Sequence, residues 1–454
     1  MNGGKMAETV AAISTPNAAG GIGMIRISGE DATMLAEQIF YSVSGRKVTE
    51  MRGYTCAYGT IADGDEVLDD VVLTVFRAPH SYTGEDVVEI TCHGGVYLCR
   101  RILALLYRVG ALPAGAGEFT KRAYLNGKIS LSQAEAVMDV IAADGEIALK
   151  QANYARSGRL SQRMRSCSEK ITALLSAFAY WMDDPEEFPP ELQEDTLISE
   201  LGDICGELQK MQETYRNGKV FREGIRAVLL GLPNAGKSSV MNWLSGTRRS
   251  IVTDIAGTTR DVVTEQVRFG EYTLLLADTA GIREASNPIE TIGIEAAFSE
   301  VQQSDLILYV VDAAVGLTAE DEAILHRFAD KKQILLWNKN DLAGVSEPPE
   351  GYPTAVCAAK TGDGEENLLR ALTMVYPVPD SSADMTILNE RQSALIAEAS
   401  ASLNAAISDL LGGQPLDMVY QDLESAANAL FSLDGENVSE DVVNGVFSKF
   451  CVGK

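Results

Sequence analysis

Residues 225–239 read IRAVLLGLPNAGKSS, and this stretch decides how the chain is to be understood. A run of β-branched and aliphatic residues gives way to a glycine-bounded turn and then to the apolar pattern SSVMNWL. This is the order strand, phosphate-binding loop, helix. Gly231 and Gly236 frame GLPNAGKS, 231–238, so that main-chain N–H groups can turn inward on an anion at the start of the following helix. Lys237 supplies a positive charge for terminal phosphates, Ser238 an oxygen for Mg2+, and Asn234, Ala235 and Ser239 complete the loop. A glycine-rich turn with an accidental Lys-Ser is the competing reading, and the strand and helix on either side argue against it.

Downstream, the texture of strand, turn and helix repeats in YTLLLAD, LILYVVD, ILLWNK and TAVCAA, the alternation of a parallel-sheet nucleotide domain. Asp278, Thr279, Ala280 and Gly281 (DTAG) end the first of these strands, with Asp278 placed for the Mg2+ shell and Gly281 for the γ-phosphate. Asn338, Lys339 and Asp341 belong to NKND, 338–341; the Asp341 carboxylate can accept two hydrogen bonds from guanine, which adenine cannot donate. Ala358, Ala359 and Lys360 follow as a last base-contacting turn. A switch-like loop, Thr253, Asp254, Ile255, Ala256, Gly257, Thr258 and Thr259, precedes DTAG, and Thr259 offers a second Mg2+ oxygen. Together these segments imply binding and hydrolysis of GTP rather than ATP. The residue after DTAG is Ile282, so the glutamine that orients water in Ras-like enzymes is missing. Asn234 and carbonyls of the 253–258 loop can hold a monovalent cation beside the phosphates, and Glu284 and Glu290 are the acidic candidates for positioning water.

The whole chain has 454 residues, 46% of them hydrophobic and 22% charged, a folded-protein composition long enough for two to four domains. Its seven cysteines are scattered without a CxxC pair, and its three histidines have no ligand spacing, so thiolate–imidazole metal sites are not expected and any metal should be oxygen-ligated. No apolar run of membrane-spanning length and no leader-like start is expected, which makes a cytoplasmic address the default. The net charge of −26 opposes indiscriminate nucleic-acid binding, yet residues 91–170 hold twelve Lys or Arg against six Asp or Glu, so a local docking site for RNA stays open.

The pass along the chain gives four segments: an N-terminal α+β domain, 1–125; a helical segment, 126–220; the nucleotide domain, 221–379; and a second helical segment, 380–454. The nucleotide domain thus interrupts a helical one. Strands are expected in ETVAAIS, GIGMIRIS, DDVVLTVF and DVVEITCHG, and helices around 96–109, from Ser130 or Ser132 onward, and over 192–215.

The blocks TPNAAGGIGMIRISG, SYTGEDVVEITCHGG (81–95), GEFTKRAYLNGKISLSQAEAVMDVI (117–141) and FSKFCVGK at 447–454 resemble the tRNA-modification GTPase family known as MnmE or TrmE, over essentially the whole chain. The resemblance implies a fold of an N-terminal α+β folate-binding and dimerisation domain, a mostly α-helical domain split in sequence, and an inserted Ras-like α/β P-loop G domain. It implies a homodimer whose G domains meet around K+, with Asn234, Thr253, Ile255 and Thr258 at the ion and Glu290 positioning water. It implies a flavin-containing partner of the MnmG or GidA type, tRNA as substrate, and a tetrahydrofolate derivative as carbon donor for an aminomethyl-type group on C5 of wobble uridine 34; FAD would come only with the partner. Arg26, Glu89, Lys128 and Lys454 match folate-contacting positions and Cys451 a suspected functional thiol. Two departures stand out: TPNAAGG lacks the Arg that the family often carries there, and DDPEEFPP (183–190) replaces a more regular segment. Arg26 and Glu89 also read as an ordinary ion pair, and Cys451 as a small apolar residue. A ribosome-assembly GTPase, with similar switch sequences, is the alternative; such proteins lack the N-terminal blocks and the CVGK end.

Overall fold

The computed structural model describes residues 8–184, 188–246, 264–277, 300–342, 344–378 and 389–454. The chain divides into two compact units, Met1–Ile141 with Ala155–Ile204 and Ala394–Lys454, and Ala142–Tyr154 with Cys205–Ser393.

The first unit is built on a seven-stranded sheet: β1 (Val10–Ile13), β2 (Ile22–Ser28), β3 (Phe40–Ser42), β4 (Thr55–Asp63), β5 (Glu66–Phe76), β6 (Val87–His93) and β7 (Leu112–Pro113), in the order β3-β4-β5-β6-β2-β1-β7. Pairing is antiparallel except between β1 and β7. Alternation decides the faces. Ile25, Ile27, Val71, Leu73, Val75, Val88 and Ile90 point to a core closed by Ile102, Leu105 and Leu106 of the helix Val96–Arg108. The opposite face carries the cross-strand pair Arg26 and Glu89.

The helical part of this unit obeys a second period. Buried residues recur at alternating steps of four and three: Leu160, Met164, Cys167, Ile171, Leu174 and Phe178 in Arg159–Asp183, and Val419, Leu423, Ala426, Leu430 and Leu433 in Leu416–Asp434. That is the seam expected of packed, nearly aligned helices, and Phe178 meets Tyr420 edge-on at 6.0 Å. The helix Glu390–Leu411 has a mean hydropathy of 1.2 over its most apolar window, enough by length and composition to cross a membrane. Its buried residues, Ile396, Ala399, Leu403, Ala406 and Leu410, follow the same four-three seam, with Glu390, Arg391, Glu398 and Asp409 off it, so it reads as an amphipathic helix with one packed face.

In the second unit the sheet has six strands among the described residues: β8 (Ile225–Leu230), β9 (Thr264–Phe269), β10 (Tyr272–Ala277), β11 (Leu306–Asp312), β12 (Lys332–Asn338) and β13 (Thr354–Val356), ordered β13-β12-β11-β8-β10-β9. All neighbours are parallel except β9, which forms a hairpin with β10. Leu306–Val311 and Ile334–Asn338 are buried throughout, as central parallel strands covered on both faces must be. The sequence motifs fall at the carboxyl ends of these strands: GLPNAGKS after β8, DTAG after β10, NKND at the end of β12 and CAAK after β13. Open α/β sheets bind ligands at this edge. The fold is therefore a mixed α+β domain and a helical domain together with a Ras-like α/β nucleotide domain.

Candidate functional site: a phosphate loop and a docked chain end

Backbone conformation prepares the phosphate loop. Gly231 has φ +145° and Gly236 φ +99°. A Cβ on the first would sit 2.3 Å from the Val310 carbonyl oxygen, and on the second 2.3 Å from Asn338 Nδ2, so glycine is required at both. Asn234 is also left-handed, at φ +63°, a conformation that asparagine tolerates better than most residues. Lys237 opens the helix Lys237–Gly246 and donates from Nζ to the carbonyls of Gly231 and Leu232, both at 2.9 Å. Those carbonyls hold the ammonium over the loop it would share with phosphate oxygens. Ser238 and Ser239 follow in the first turn of that helix.

Two residues of NKND tie this loop to the base-reading side. Asn338 is buried, at 2% exposure; Nδ2 donates to the Ala235 carbonyl at 3.0 Å while Oδ1 accepts from the Ala359 N–H at 3.1 Å. Lys339, at φ +65°, donates to the Asn234 carbonyl at 2.8 Å and to Asp312 Oδ2 at 2.6 Å. Ala358 and Ala359 are buried, whereas Asp341 and Lys360 are exposed. Burial pushes the neighbouring Cys357 thiol up to about 12. The sequence motif singles out Asp341 for base recognition, but Asn338 acts as a brace and Asp312 as the anion under Lys339. The latter was not anticipated, although its place at the end of LILYVVD was the available signal.

A second cluster lies in the first unit. Arg26 pairs with Glu89, Nη2 to Oε1 at 2.8 Å and Nε to Oε1 at 2.9 Å, and its guanidinium stands 5.4 Å from the Phe119 ring centroid and 5.9 Å from that of Tyr82. Such stacking and pairing suits a planar guanidinium. Residues 451–454 dock beside it. The Gly453 carbonyl accepts from Ser14 Oγ at 2.9 Å and from Arg26 Nη1 at 3.5 Å; Val452 bridges to Ala116, and the main-chain oxygen of Lys454 accepts the Phe119 N–H at 3.1 Å. That N–H belongs to the first turn of the helix Glu118–Leu125, where helix donors lack internal partners. Lys128 donates from Nζ to the Pro79 carbonyl at 2.9 Å, and so holds the loop that carries Tyr82. Cys451 is exposed. Arg26, Glu89 and Lys454 thus share one corner, Lys128 supports it through the 79–82 loop, and Tyr82, Phe119 and Ser14 are members that sequence reasoning did not name.

Thr253, Asp254, Ile255, Ala256, Gly257, Thr258, Thr259, Asp278, Thr279, Ala280, Gly281 and Glu290, as well as Glu284, lie outside the described residues. Among the described residues no group of three or more His, Cys, Asp or Glu side chains is arranged to hold a metal ion.

Comparison with known proteins adds the following. A family model described as the MnmE helical domain matches residues 131–451, and one described as the GTP-binding protein TrmE N-terminus matches residues 9–128. The chain is 40% identical to the tRNA modification GTPase MnmE of Acetivibrio thermocellus over 98% of its own length and 99% of the relative's. The same identity and coverage hold for the protein of that name from Clostridioides difficile. Among solved structures, an Aquifex aeolicus Era variant bound to GDP and aluminium fluoride aligns with 39% of this chain and 66% of its own, at 24% identity and a TM-score of 0.27.

Proposed function

Because the chain belongs to the MnmE family of tRNA modification GTPases, we propose that it couples GTP hydrolysis to installing an aminomethyl-type group on C5 of wobble uridine 34 in certain tRNAs. It does so in the cytoplasm as a homodimer, with a flavin-dependent partner and a tetrahydrofolate-derived carbon. What carries the reading beyond GTP turnover is the docking of 451–454 against Ser14, Phe119 and an Arg26 that is itself paired with Glu89. A GTPase that only binds and releases RNA needs no second built corner of this kind.

Among the described residues, the phosphate loop suits a nucleotide. The glycine cradle at 231 and 236 leaves room that a Cβ would fill, and Lys237 already has its ammonium over the loop carbonyls. On binding GTP, Lys237 would exchange those carbonyls for phosphate oxygens, Ser238 and Thr259 would hold Mg2+, and Asp341 would accept from guanine. Asn234, with Thr253, Ile255 and Thr258, would hold K+, and Glu290 would orient the attacking water. Asn338 and Lys339 keep loop and base pocket in register by fixing the carbonyls of Ala235 and Asn234. At the second corner, a guanidinium close to two aromatic rings, a carboxylate and main-chain oxygens make a polar and aromatic set suited to a flat, hydrogen-bonding ring; Lys128 and Lys454 would meet an anionic tail. A bound tetrahydrofolate derivative supplies the one-carbon unit there.

The test is nucleoside mass spectrometry of total tRNA from cells lacking the protein. The intact gene restores C5-substituted uridines and a Lys237→Ala version does not; an unchanged profile on deletion leaves the GTPase but removes the uridine pathway, and ribosome assembly becomes the better reading. Equal hydrolysis rates in KCl and NaCl at matched ionic strength would remove K+ from the scheme.

A further inference from the structure

The β9–β10 hairpin has an end whose use the GTPase chemistry does not explain. Its arms pair from Thr264 opposite Ala277 to Phe269 opposite Tyr272. At the open end, β9 follows directly on the switch-like sequence 253–261 and β10 runs directly into DTAG. The closed end, about 20 Å away at the rise of an extended strand, is the turn Gly270–Glu271, with Gly270 at φ +58°.

That turn grips another part of the chain. Glu271 Oε2 accepts the main-chain N–H of Ile147 at 3.2 Å, in the first turn of the helix Glu146–Arg156. A helix N-terminus carries unpaired N–H donors and partial positive charge, so a carboxylate brought from elsewhere acts as a tertiary cap. Gly145, whose carbonyl accepts the first bond of this helix from Leu149, passes so close that a Cβ there would stand 3.0 Å from Glu271 Oε2. Arg268 reaches Asp144 at 3.5 Å, and Ile147 is buried in the same core as Phe221, Phe269 and Tyr272. The Arg268–Asp144 pair is half-exposed and contributes little energy; the cap and the Ile147 anchor do the holding. The segment is covalently short on both sides: the first unit resumes at Ile141 before it and at Ala155 after it, both within helices.

We infer that Glu271 is a positioning residue that couples nucleotide state to the helical half of the protein, by linking the β9–β10 hairpin of the nucleotide domain to the N-terminus of the helix Glu146–Arg156. The inference rests on the proposed use of GTP turnover to drive uridine modification, and names the joint through which it acts.

Hydrogen exchange of the full-length protein, read by mass spectrometry in GDP and in GDP with aluminium fluoride, tests it. In the wild type, amides 146–149 change their exchange rate between the two states by about threefold or more, the scale of a local opening that gains or loses one cap. In Glu271→Ala the difference disappears, kcat and KM for GTP stay within about twofold because the residue lies away from the phosphate loop, and restoration of modified uridine in deletion cells falls. Gly145→Ala, which crowds the same carboxylate, reproduces the loss of the exchange difference and guards against a misfolded first variant. Equal exchange in both states in the wild type, or a difference preserved in both variants, overturns the joint. The exchange measurement involves no tRNA, so a failure of the wild-type gene to restore uridines counts against the pathway alone.

Discussion

Replacing Gly453 by alanine should undock the end of the chain without unfolding the protein. Gly453 sits at φ +97°, and a Cβ there would lie 2.3 Å from the Ile13 carbonyl oxygen and 2.9 Å from Ser14 Cα, both main-chain atoms held by β1 or next to it. Left-handed backbone costs an L-residue about 1–2 kcal/mol, and moving away from Ile13 gives up the Ser14 to Gly453 hydrogen bond, worth about 0.5–1.5 kcal/mol. With a residual clash the total is about 2–4 kcal/mol, which weakens docking roughly 30- to 700-fold at a factor of ten per 1.4 kcal/mol. The reporters are the amides of Phe119 and Gly117, which donate to the main-chain oxygens of Lys454 and Cys451. Their native-state exchange should accelerate toward that factor, since local opening sets their protection. Val452→Ala removes an exposed side chain and should leave them slow. GTP hydrolysis should hold within about twofold, because the phosphate loop is built in the other unit. Unchanged exchange at Phe119 in Gly453→Ala would refute the argument that the glycine is there for its backbone.

Two further outcomes follow from the nucleotide unit. Asn338→Ala leaves the Ala235 carbonyl and the Ala359 N–H without their buried partner, at about 1–3 kcal/mol each; urea denaturation should show that loss, and GDP affinity measured with a fluorescent analogue should fall at least tenfold, whereas an unaltered midpoint would mean that the brace is dispensable. Cys357 is held protonated by burial up to about 12 against an ordinary 9.0. The unfolded thiol therefore releases its proton first, and stability falls as pH rises from about 9 toward 12; the drop in urea midpoint between pH 8 and pH 10 should be smaller in Cys357→Ala than in the wild type, and equal drops would exclude this thiol as a contributor.

What could be read from the sequence depended on how far each interaction reaches along the chain. The order strand, loop, helix at 225–246 was legible because glycine spacing and apolar runs act locally, and the helix Val96–Arg108 announced itself by its own period. β4 was not singled out: TCAYGTIAD carries Gly59, which reads as a breaker, yet a Cβ at 59 would strike the Tyr41 carbonyl oxygen at 2.2 Å, so the glycine is what lets β3 lie alongside. The helix expected to stop near 215 continues from Glu194 to Glu223 through Asn217-Gly218, a stop signal by propensity. Phe221 explains why, since it is buried against Tyr272 at 5.3 Å, and tertiary packing outweighs roughly 1 kcal/mol of glycine cost.

The same distinction separates the parts of the sites. Gly231, Gly236 and Lys237 owe their geometry to neighbours within a few residues, and a motif captures them. The Ser14 to Gly453 bond joins positions 439 apart, and the brace from Asn338 to Ala235 spans 103; no periodicity encodes either. NKND shows how both kinds of information share one motif. Its Asp341 is exposed and free to meet a base, while Asn338 and Lys339 each make one hydrogen bond with the phosphate loop and another with Ala359 or Asp312. A motif of that construction cannot drift one residue at a time, because changing Asn338 or Lys339 would move the loop carbonyls of Asn234 and Ala235, and with them the backbone that the phosphates and the base must meet together.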